Sequence, residues 1–162
     1  MDRLPAEREP SKKALALYYL SQLTWGLPLN IAGGLRFLFC VHRPHFLYRG
    51  AIVTRWKKPY SMGIGFFVFL GHTDVEDRRA PGEVLTPADR AVLVHEYGHT
   101  VQAAYLGVLF SLLVALPSVT WAFFPPLVKY RRKNRISYYS VYPENWANRL
   151  GARVTGEPAP RR

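Results

Sequence analysis

Val92-Leu93-Val94-His95-Glu96-Tyr97-Gly98-His99-Thr100-Val101-Gln102 decides how the rest of the chain is understood. It holds His-Glu-x-x-His. On an α-helix, positions i and i+4 lie one above the other, so His95 and His99 point the same way and can share one metal ion. Glu96 lies about 100° further round. Its carboxylate then stands beside the metal's open position, where it can take a proton from a metal-bound water. The flanking residues, 91–94 and 101–106, are mostly apolar, so the helix is expected to be buried. Buried His and Glu need partners, and a metal supplies them.

Boundary signals agree with this helix. Thr86 can cap, Pro87 suits the first turn, Asp89 follows three after the cap, and Gly107 stops the run. The spacing predicts a helix over 87–106. Residues 72–90 carry Asp74, Glu76, Asp77, Glu83 and Asp89 with Pro81, Gly82 and Pro87 and read as an acidic loop that ends in the helix start.

Catalytic zinc needs a third protein ligand and leaves one position open. No His and no Asp follow His99, and the only later carboxylates are Glu144 and Glu157. Glu157 falls in a Gly-Glu-Pro-Ala-Pro tail. Glu144 falls in Tyr142-Pro143-Glu144-Asn145-Trp146-Ala147-Asn148, in the first turn of a helix that Gly151 is expected to end. Glu144 is thus the expected third ligand of Zn²⁺. Asn148, one turn on, is expected to orient a ligand imidazole. His72 and Asp74 are the alternative ligands. Among the tyrosines of 138–142, Tyr142 stands nearest Glu144 and is the expected donor to a developing oxyanion.

The 162 residues suffice for one domain, expected over 14–152 between tails at 1–13 and 153–162. One cysteine, Cys40, excludes an internal disulfide. The net charge of +11 calls for an anionic partner. No groove-entering or aromatic-basic nucleic-acid motif accompanies it, so lipid is preferred to nucleic acid. Residues 14–41 have Arg36 as their only charge and break at Gly26-Leu27-Pro28, which fits a kinked span or a helical hairpin dipping into a membrane. Residues 42–58, including His42 and His45, read as a basic interfacial segment. Residues 60–71 read as a strand beside the motif helix, where it could align substrate. Residues 106–128 carry no charge, and Lys129, Arg131, Arg132, Lys133 and Arg135 follow at once. That order predicts cytoplasmic contact with anionic headgroups. If both basic segments are cytoplasmic, 106–128 dips in and returns, bent at Pro117, or lies against the interface.

The downstream element Glu144-x-x-Ala147-Asn148-x-x-Gly151 resembles the Glu-x-x-Ala-Asp-x-x-Gly of gluzincin peptidases of the HtpX and type I prenyl-processing kind, with Asn148 in place of their Asp. The motif His-Glu-Tyr-Gly-His-Thr-Val-Gln, with Leu116-Pro117-Ser118 and Tyr-Pro-Glu-Asn-Trp-Ala-Asn, is similar to a family of small bacterial membrane proteins over most of 15–151. The resemblances imply a zincin-like motif helix and ligand helix in a bacterial membrane protein, and the two basic segments place the site on the cytoplasmic side. The expectation is a mainly α, membrane-associated zinc metallopeptidase with a short strand or hairpin, acting on a peptide or membrane-protein segment. The competing expectation is a non-catalytic membrane protein with a structural zinc or a peptide-binding role.

Overall fold

The computed structural model describes residue 6, residues 8–71 and residues 85–160. Most of the acidic loop, with the alternative ligands His72 and Asp74, lies outside the described residues. The chain is mainly helical with a small mixed sheet. In order come α1 (Lys12–Leu23), α2 (Leu27–Leu38), β1 (His45–Tyr48), β2 (Ala51–Arg55), β3 (Met62–Ile64), β4 (Phe67–Leu70) and α3 (Pro87–Leu106). A π-helical turn (Ser111–Ala115), α4 (Leu116–Phe123), α5 (Pro125–Lys133), a 3₁₀ turn (Tyr138–Ser140) and α6 (Tyr142–Thr155) complete it.

The motif helix α3 is the axis of the fold. The Thr86 hydroxyl accepts from the Asp89 N–H and donates to the Asp89 carboxylate, capping the helix N-terminus. Gly107 ends the helix at φ +55°, a conformation costly for a residue with a Cβ. Every residue of 93–104 is buried. The helix has neighbours on several sides: the sheet, α1 and α6. Burial all round explains why its apolar pattern is continuous rather than striped.

Two glycines set the α3–α6 spacing. A Cβ on Gly98 would lie 2.1 Å from the Ala147 carbonyl oxygen, and one on Gly151 would lie 2.1 Å from that of Val94. Gly151 therefore does not end α6, as its position in the sequence predicts. It lets two backbones touch, and α6 runs on to Thr155, where Gly156 caps it in the left-handed region. Gly151→Ala must push the helices apart. We expect a loss of about 1–3 kcal/mol, read as a melting temperature several degrees lower; an unchanged melting curve would contradict the contact.

The sheet order is β1-β2-β4-β3, with β2 and β4 parallel and the outer pairs antiparallel. The expected strand at 60–71 is the β3–β4 hairpin, and β3 is an edge strand lying on α3. A Cβ on Gly63 would sit 2.8 Å from the Glu96 carbonyl oxygen and 3.2 Å from His99 Cβ. The basic segment 42–58 contains a second hairpin, β1–β2, turned at Arg49 and Gly50, both with positive φ. Arg49 is buried, its guanidinium 5.5 Å from the Tyr97 ring centre.

Residues 14–41 fold as α1 and α2 around a break at residues 24–26. Their polar residues are structural. The buried Gln22 amide donates to the Thr100 carbonyl of α3 at 2.9 Å. The buried Asn30 amide donates to the Gln22 carbonyl and side chain, while its oxygen accepts from the Phe66 N–H at 2.8 Å. One network thus ties α1, α2, the β3–β4 turn and α3, satisfying groups that are costly to bury alone.

No single helix among the described residues is long and apolar enough to cross a membrane. One bent pair, Ser111–Phe123 with Pro125–Lys133, passes that test jointly across a 69° break. The bend is at Phe124, not at Pro117. Pro117 lacks an N–H for the carbonyl four residues back, and the π-helical turn just before it absorbs that mismatch. Phe124 precedes a proline, is excluded from the α region and sits extended at ψ 115°.

The expected tails are partly tied down. Arg8 bonds to the carbonyls of Arg153 and Thr155. Glu157, read from the sequence as part of a loose tail, is 2 % exposed. It accepts from Tyr48 Oη at 3.0 Å and pairs with Arg90.

Candidate metal centre

His95 and His99 project from one face of α3, and Glu144 projects toward them from the first turn of α6. His95 Nε2 lies 3.0 Å and His99 Nε2 3.6 Å from Glu144 Oε2. All three side chains are buried, and one ligand atom from each lies within 4.8 Å of the others. A tetrahedral ion with bonds of 2.0–2.1 Å has ligands about 3.3 Å apart, between the two distances seen.

The outer nitrogens are already committed. His95 Nδ1 is 2.7 Å from Asn148 Oδ1, and the Asn148 amide nitrogen donates to the Pro160 carbonyl at 3.1 Å. His99 Nδ1 is 2.7 Å from Gln102 Oε1, and the Gln102 nitrogen donates to the Pro143 carbonyl at 3.0 Å. Those backbone carbonyls orient both amides, so each imidazole donates from Nδ1 and presents a lone pair at Nε2. Glu144 is 0 % exposed, and its carboxylate faces the Nε2 atoms of both imidazoles. Burial alone would raise the Glu144 carboxyl. His95 and His99 outweigh it and hold the group well below the usual carboxylate range. Burial opposes charge on His99, yet Glu144 and Glu96 raise its imidazole above the ordinary value. The three groups converge on one point, where a shared proton or a metal ion satisfies them. The residues present fit a metal ion.

Asn148 stands where the sequence places it. Gln102, which does the same for His99, was missed. The signal was available, since Gln102 lies three residues after His99 and shares its helix face.

Glu96 is not part of the ligand set. It lines a cavity of about 600 Å³ together with His95, His99, Met62, Tyr138 and Tyr139. Burial pushes its carboxyl up, against the pull of His95 and His99, while a backbone hydrogen bond from Gly63 stabilises its charged form. A carboxylate with a raised pKa beside an ion is suited to accept and return a proton.

Tyr142 does not face the site. It is 56 % exposed and stacks on Trp146 with ring centres 6.0 Å apart. It is two residues from Glu144, about 200° round the helix, so the two point to opposite sides. Tyr139 takes its place, edge-on to His95 with ring centres 5.0 Å apart. Burial, then Glu96 and Glu144, push its phenol up to about 12, so it stays a hydrogen-bond donor. Tyr138 is raised too, by burial and then by Glu144.

Of the expected lipid-facing cations, Lys129, Arg132, Lys133 and Arg135 are exposed, whereas Arg131 is half-buried and lines the cavity. No protein-family model, no curated protein and no solved structure matches this chain.

Proposed function

We propose that the chain is a zinc metallopeptidase of the gluzincin kind, working at the cytoplasmic surface of a bacterial membrane on peptide or membrane-protein segments. The observation that carries this reading is the convergence of His95, His99 and Glu144, with Glu96 beside them on a cavity wall beneath an edge strand. Two nitrogen ligands and one carboxylate, with room for a fourth group, are the donor set of catalytic zinc. When bound, zinc polarises a carbonyl and makes water a better nucleophile at neutral pH.

The protein's own groups supply the rest. Asn148 and Gln102 hold the two imidazoles in one tautomer. An extended substrate lies along β3, whose outer edge offers backbone N–H and C=O groups. Glu96 takes a proton from the attacking water as its oxygen bonds to the carbonyl carbon, then returns it to the amine as the C–N bond breaks. The Tyr139 hydroxyl donates to the carbonyl oxygen as charge develops there. A structural zinc site has no use for a base placed beside it, which disfavours the non-catalytic alternative.

The membrane setting is supported by surface composition. Large apolar side chains of α1, α2, the π-helical turn, α4 and the break after it are exposed, among them Leu20, Leu35, Leu38, Leu112, Leu116 and Phe124. That exposed apolar surface, together with exposed Lys129, Arg132 and Lys133, suits an anionic lipid interface. Val119 and Phe123 both line the cavity and are exposed, so the mouth opens toward that face.

The test is hydrolysis of fluorogenic apolar peptides by detergent-purified protein. Activity should vanish on chelation and return with one equivalent of zinc. The protein should also float with phosphatidylglycerol vesicles and not with phosphatidylcholine. Hydrolysis that survives complete metal removal would sink the mechanism, and indifference to anionic vesicles would sink the membrane placement.

A further inference from the structure

Arg131 is set apart from the other cations of α5. Its guanidinium lies over two aromatic faces, 5.7 Å from the Trp121 ring centre and 5.2 Å from that of Tyr138. These rings are themselves fixed. Trp121 Nε1 donates to the Tyr138 carbonyl at 2.9 Å, and the Tyr138 hydroxyl lies 3.3 Å from Ser118 Oγ. Arg131 Nε is buried without a hydrogen-bond partner. No carboxylate among the described residues pairs with the guanidinium. Among the described residues lining the cavity, Arg131 is the one lysine or arginine.

A guanidinium stacked on rings keeps its N–H edge free for a planar, two-oxygen acceptor. Held against a mostly apolar cavity wall, with no carboxylate among the described residues within ion-pair distance although Asp89 and Glu96 line the same cavity, it favours an anion there. The same cavity is lined by His95, Glu96 and His99, so an anion held by Arg131 shares it with the candidate site.

We propose that Arg131 is the receptor for a substrate carboxylate, so that the cavity selects apolar peptides that carry an anionic group. The inference rests on the peptidase reading for its word "substrate", and its test does not depend on turnover. A free chain terminus and an Asp or Glu side chain present the same chemistry.

The experiment measures equilibrium binding to Glu96→Gln protein in detergent by quenching of tryptophan fluorescence. The probes are three labelled pentapeptides of one apolar sequence: the free acid, the C-terminal amide, and the amide with glutamate at the fourth position. An anionic peptide should bind about 10-fold or more tighter than the plain amide. Whichever anionic peptide binds tighter identifies the source of the carboxylate. Adding Arg131→Gln should erase the preference and leave affinity for the plain amide unchanged. Arg131→Lys, which keeps the charge and loses the fork, should retain part of it, and the ratio within each variant is independent of how much protein folds. Equal binding of all three peptides, including no binding of any, overturns the proposal. So does a preference that persists in Arg131→Gln. Retention of phosphatidylglycerol over phosphatidylcholine that Arg131→Gln removes, with no difference between peptides, overturns it in favour of a lipid headgroup. Should the wild-type protein hydrolyse nothing while the preference holds, the peptidase reading fails and the anion site stands.

Discussion

Glu144→Ala protein, purified in the presence of zinc, is expected to contain less than about a tenth of an equivalent of metal, where the wild type is expected to hold one. Losing only an outer group that orients a ligand costs roughly 10- to 100-fold in affinity, and loss of a ligand must exceed that. Glu144 is the sole carboxylate among the described residues grouped with both histidines. Two imidazoles remain after the change, still held by Asn148 and Gln102, and they do not complete a three-ligand site. The fold should persist, because α3 and α6 meet through Gly98 and Gly151 rather than through Glu144. Metal content by elemental analysis, with far-ultraviolet circular dichroism as the control, decides the matter. Full metal content in this variant would move the third ligand elsewhere, with His72 and Asp74 the next to be changed.

The complementary variant is Glu96→Gln. It should keep one equivalent of zinc and lose peptide hydrolysis by about 10²- to 10⁴-fold in kcat. The amide has the size of the carboxylate and cannot take a proton. Misfolding is not a competing explanation. Burial raises the Glu96 carboxyl, so its charged form is unfavourable in the folded state. At neutral pH the uncharged amide removes that penalty, and the melting temperature should be unchanged or higher. KM should move little, since Glu96 is not assigned to substrate binding. Activity within a few-fold of wild type at full zinc would show that the proton goes elsewhere.

How much of this was legible before the structure depends on how far each interaction reaches along the chain. The ends of α3 were readable because Thr86, Pro87, Asp89 and Gly107 act within a few residues. Glu144 was reachable by elimination, a matter of composition. The β1–β2 hairpin was hidden by its charges, although Arg49-Gly50 between apolar-rich runs is a turn signal. Tyr142 was preferred for its closeness in sequence, and helix geometry alone argues against it. Gln22 and Asn30 stand in an apolar stretch, and their partners Thr100 and Phe66 lie 78 and 36 residues away. No local pattern reports such a pairing. Arg131 looked like one cation in a basic run, and only the packing of α4 against the 3₁₀ turn separates it from its neighbours.

The backbone contact of α3 with α6 has a consequence for how the protein acquires its ion. With no side chain between them at Gly98 and Gly151, the helices have little room to slide or part. The three donors are therefore in place before any ion arrives. Small zinc-dependent domains gain their structure along with the metal. Uptake would then be an exchange, in which a hydrated ion gives up water to fixed donors and displaces any proton shared among them. Removal and return of the ion are then expected to leave the chain folded.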